Sequence, residues 1–145
     1  MTFLHEIGHI IVPLITTNQK FRIYIGSYGG HGKELSFWRV TVILAGWNLA
    51  LGSVFYEKPL ESKSVNILSI IGGPLVSLIS FIVLFRLSVL TNNDDLYSFY
   101  RFFGSLAFYS FLFTTIPMKY AFPKDLKGTR SDGRRFLDLL FDKQG

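Results

Sequence analysis

The stretch ILSIIGGPLVSLISFIVLFRLSVL, Ile67 to Leu90, decides how the rest of the chain is read. A helix needs about 20 apolar residues to cross a bilayer, and this run is long enough. Its only charge, Arg86, stands near one end, where a long stem can carry the guanidinium to an interface. After the polar turn TNNDD comes a second apolar run, LYSFYRFFGSLAFYSFLFTTIPM, Leu96 to Met118, with Arg101 near its start. Two spanning helices joined by a short acidic turn are expected.

Composition points the same way. The 145 residues suit one domain, 1–145. A hydrophobic content of 49% and an aromatic content of 17% exceed what so small a body can bury, so lipid is the expected solvent. Cysteine is absent, which excludes disulfides and thiolate sites and leaves His, Asp and Glu as the ligands for any transition metal. The net charge of +5 comes from basic residues that flank the apolar runs, an arrangement of membrane topology and not of a nucleic-acid surface. Lys20, Arg22, Lys33, Arg39, Lys58 and Lys63 precede the first run. Lys119, Lys124, Lys127, Arg130, Arg134, Arg135 and Lys143 follow the second, and the turn between holds only Asp94 and Asp95. By the positive-inside rule both flanks are expected in the cytoplasm.

Upstream, FLHEIGHIIVPLI (Phe3 to Ile15) is apolar but too short to cross, and Pro13 followed by TTNQK ends it. No basic n-region or cleavage site marks it as a signal peptide. It is expected to enter the cytoplasm at its C-terminal end, with about ten or more further apolar residues upstream of Met1. From about Thr16 to Ser64, KFRIYIGSYGG alternates with period two and ELSFWRVTVILAG is rich in β-branched and aromatic residues. These predict two or three strands joined by a glycine-rich turn. SYGGHGKE, Ser27 to Glu34, is no phosphate loop, because Ser27 replaces its first glycine and Glu34 its Ser or Thr. At the C-terminus a basic loop leads into a short amphipathic helix with Phe136, Leu137, Leu140 and Phe141 on one face, suited to a membrane surface. The expected fold is therefore a mainly α membrane protein. It has three core transmembrane helices, the first truncated, with a small sheet between the first and second.

Within the first segment HEIGH matches H-E-x-x-H. Residues four apart share a helix face, so His5 and His9 can direct imidazoles to one ion while Glu6 stands ready to take a proton from water. Ionisable groups in apolar segments are costly and usually functional. An open catalytic zinc site needs a third protein ligand. His31, Asp125, Asp132, Asp138 and Asp142 are the candidates. His31 lies in a glycine-rich turn, and Asp138 and Asp142 fall one turn apart on the polar face of the last helix. Asp132 opens that helix in SDG, on the side where His9 is expected, although a capping carboxylate in an Asp-Gly turn looks the same.

HEIGH, then GGPLVSLIS (Gly72 to Ser80), then IPM and SDG (Ile116 to Met118, Ser131 to Gly133) resemble, in order, the site-2 protease family of intramembrane zinc metallopeptidases. The resemblance covers nearly the whole chain. It implies membrane-associated strands, His5, His9 and Asp132 as zinc ligands, Glu6 as general base, and cleavage of membrane-protein substrates within the bilayer, often to release a regulator. A compact core of this kind suits a bacterial inner membrane, with the site toward the cytoplasm. Two departures stand out. Thr114 and Thr115 precede Pro117 where the family often has asparagine, and Ser77 occupies another position where asparagine is common. The alternative expectation is a non-proteolytic metal-binding membrane scaffold or an inactive relative.

Overall fold

The computed structural model describes residues 1–26, 32–46, 48, 51–121 and 127–141. The chain runs α1 (Thr2–Thr16), β1 (Phe21–Gly26), β2 (Lys33–Phe37), β3 (Val40–Ala45), β4 (Gly52–Tyr56), α2 (Lys63–Leu90), α3 (Asp94–Thr115) and α4 (Asp132–Leu140). Serine and asparagine side chains start three helices: Ser62 accepts from the Val65 amide, Asn93 from Leu96 and Ser131 from Arg134.

The strands form one sheet in the order β2-β3-β1-β4. β1 is central, parallel to β3 and antiparallel to β4. Its alternate residues Phe21, Ile23 and Ile25 are buried with Ile10 of α1, and Ile7, Leu14, Val40, Val42, Val54 and Tyr56 close round them. Arg39, in the turn between β2 and β3, donates to the Leu14 and Thr17 carbonyls and so ties the end of α1 to the sheet. The sheet differs from expectation in two ways. GSVFY forms a strand of its own, and the first two strands are not a hairpin: β2 pairs with β3, and β1 meets β3 in parallel. The turn expected at Ser27 to His31 lies outside the described residues.

α1 lies against α2 with backbone touching backbone. A Cβ on Gly8 would stand 2.3 Å from the Gly72 carbonyl oxygen, and one on Gly72 would stand 2.1 Å from that of Gly8. The glycine inside HEIGH and the first of the GGP motif are thus a matched pair that only hydrogen side chains permit. α3 runs antiparallel to α2, as Ser77 beside Ser110 and Phe81 beside Phe108 show.

Three core transmembrane helices are not found. Among the described residues only Lys63–Leu90 is long and apolar enough to cross a membrane. α1 has 15 residues, too few to span. α3 has 22, but Asp94, Asp95, Arg101 and its tyrosines and serines dilute the phenylalanines and leucines. What α2 and α3 share is apolar surface that the fold leaves uncovered: Leu75, Ile79 and Ile82 on one, Phe102, Tyr109 and Phe113 on the other, are about half-exposed.

Candidate metal centre and cleft

His5, Glu6 and His9 are buried on α1, and Asp132 is buried at the first turn of α4. The Asp132 Oδ2 atom lies 3.2 Å from His5 Nε2 and 3.4 Å from His9 Nε2, and the two Nε2 atoms are 3.2 Å apart. A tetrahedral zinc ion with bonds of about 2.0–2.1 Å requires its ligand atoms to stand about 3.3 Å from one another. The triangle has that size.

The outer hydrogen bonds decide what faces the triangle. His9 Nδ1 lies 2.7 Å from the Ser69 carbonyl, which can only accept, so Nδ1 carries the proton and the neutral ring turns the Nε2 lone pair inward. His5 Nδ1 lies 2.9 Å from Ser77 Oγ, and Ser77 gives its own proton toward Ser110 Oγ at 3.4 Å, so His5 is again the donor at Nδ1. Two lone pairs and a carboxylate oxygen therefore converge, an arrangement that calls for a positive centre between them. Burial acts to raise the Asp132 carboxyl. A ring that takes up a second proton at Nε2 becomes a cation that donates to the carboxylate, and this outweighs burial and holds the group well below the usual carboxylate range, in the ionised form a metal needs.

Local sequence explains how these groups are held. Pro13 has no amide hydrogen to give the His9 carbonyl, and Ser69 Oγ donates to that carbonyl at 2.7 Å instead. Tyr56 of β4 completes the chain with a 2.7 Å bond to Ser69 Oγ. Gly73 leaves room for the His9 ring, since a Cβ there would stand 2.3 Å from Nε2.

At the other end, Ser131 Oγ donates to the Ile116 carbonyl at 2.7 Å and accepts from the Met118 amide at 3.0 Å. A Cβ on Gly133 would meet the Thr115 oxygen at 1.8 Å. The IPM and SDG segments are thus locked together. The Lys119 to Arg130 bridge and the bond from the Tyr120 amide to the Thr129 carbonyl close the intervening loop at its base. The long spacing between Pro117 and Asp132 is absorbed there.

Of the other ligand candidates, Asp138 is excluded by position: it is buried in ion pairs with Arg130 and Arg134, each at 3.0 Å, and does not face outward as expected. His31, Asp125 and Asp142 lie outside the described residues. Ser69 and Ser77 had no signal of their own. Ser77 stands out in the sequence only as a departure from the family pattern after the GGP motif, and the hydrogen bond to His5 is what gives it a role. Replacing Ser77 by alanine should weaken zinc binding about 10-fold, because an unfixed ligand costs affinity; competition with a chromogenic chelator measures it, and an unchanged constant would remove Ser77 from the site.

A cleft of about 710 Å³ opens on the centre. β4 forms one wall, with Gly52 so close to Glu6 that a Cβ would stand 2.5 Å from Oε1. Phe103, Leu106, Tyr109 and Phe113 of α3 form an apolar wall opposite. Tyr120 also lines it. Its hydroxyl, pushed up to about 12 by burial and then by the charges of Asp132 and Glu6, stays protonated and donates to the Phe113 carbonyl at 3.2 Å.

Compared with protein-family models, with curated proteins and with solved structures, the chain matches none.

Proposed function

We propose that this chain is a zinc metalloendopeptidase that hydrolyses membrane-embedded polypeptides. One observation carries the reading: His5, His9 and Asp132 converge at zinc-ligand spacing beside Glu6 in one cleft. The resemblance of HEIGH, GGPLVSLIS and SDG to the site-2 protease family supports it. His5, His9 and Asp132 would hold the zinc ion, which would supply a Lewis acid able to activate water and polarise a peptide carbonyl. Glu6, buried next to the triangle and absent from it, accepts the water proton and returns it to the leaving amine.

β4 ends one side of the sheet and lines the cleft, so an extended substrate segment can add to it as a further strand. Such pairing suits a helix that must unwind before its peptide bonds are reachable. The apolar wall of α3 and the uncovered faces of α2 and α3 suit a substrate arriving from lipid.

The native protein in detergent should take up one zinc ion per chain. In vesicles it should cut single-span peptides from a defined library, with new termini read by mass spectrometry. Failure to bind zinc, or zinc-loaded protein that leaves every peptide intact, would sink the reading.

A further inference from the structure

We infer that Arg135 is a positioning residue that keeps Asp132 bound through one oxygen and so holds the fourth ligand position open. The inference rests on the zinc reading above and deepens it. A carboxylate offers two equivalent oxygens, and Asp132 uses them differently. Oδ2 faces both histidines, while Oδ1 lies 3.6 Å from Arg135 Nη1. Arg135 stands one turn along α4 from Asp132 and lines the cleft, its side chain about half-exposed. Its neighbours Arg130 and Arg134 are directed elsewhere, to Asp138.

The physical reason is competition for the second oxygen. A carboxylate without an outer partner can rotate and chelate through both oxygens, adding a fifth bond that crowds the position where water or a peptide carbonyl must enter. A guanidinium beside Oδ1 opposes that rotation, and outer partners of metal ligands typically set affinity by about 10- to 100-fold. Arg135 is exposed, so shortening it disturbs no packed core.

The test uses zinc and cobalt(II) alone, with full-length native, Arg135→Ala and Arg135→Lys proteins. The alanine variant should differ from native in zinc affinity by about 10-fold, the scale of an outer partner's effect. Its cobalt complex should lose visible absorption intensity as the ion passes from four- to five-coordinate. Lysine, which restores the charge but not the fork, should recover part of both. An alanine variant with the native cobalt spectrum overturns the inference whatever its affinity, since weaker binding without a change of coordination would mean only a general loss of stability. Native protein that binds neither metal overturns the zinc reading itself, so the two failures are told apart.

Discussion

Replacing Glu6 by glutamine should abolish cleavage while leaving zinc in place. Glutamine keeps the size and hydrogen-bonding ends of the side chain but cannot take a proton at neutral pH, and a positioned general base contributes about 10²- to 10⁴-fold. A fall of about 10³-fold in hydrolysis is expected. Zinc stoichiometry should not change, because Glu6 supplies none of the three converging atoms. The site tolerates only an isosteric change: Glu6 is buried, and the start of β4 passes directly over it. Product quantification by mass spectrometry beside metal analysis of the same preparation checks both halves. Retained turnover would take Glu6 out of the reaction, and lost zinc would make it a ligand.

Asp132→Asn has the larger effect on the metal. The amide preserves shape but removes the charge, and one end becomes a donor facing two imidazole nitrogens whose lone pairs already point inward. Zinc affinity should fall by more than about 100-fold, beyond the range of an outer partner. Asp138→Asn is the matching control. That carboxylate is occupied by Arg130 and Arg134, so its loss should cost some stability and leave zinc binding as it was. Zinc titration of both variants decides the point: native affinity in Asp132→Asn would break the proposed ligand set.

How much of this was legible depends on the range of the interaction. The helical spacing of His5, Glu6 and His9 is a local property and could be read at once. So was the length of the apolar run in α2, which exceeds what a span requires. The number of spans differs from expectation because phenylalanine-rich α3 looks continuous until its polar residues are weighed, and because the 15 residues of α1 are too few to cross. β4 was missed since GSVFY is short and carries little alternation. Its pairing with β1 is long-range, and the register that makes it an edge beside Glu6 exists only in the folded sheet.

By itself, the sequence determined that two imidazoles and a carboxylate share one helical segment, that thiolates are excluded, and that one helix is apolar enough to cross a membrane. Tertiary structure alone decided the partner of that pair, drawing Asp132 to within 3.4 Å and turning Asp138 away. It also decided that Ser69, Ser77 and Arg135 contact the three converging side chains. The reason is physical: backbone geometry fixes neighbours within a turn, whereas groups more than a hundred residues apart meet only through packing, here through glycines that let two helices and a loop close to backbone contact.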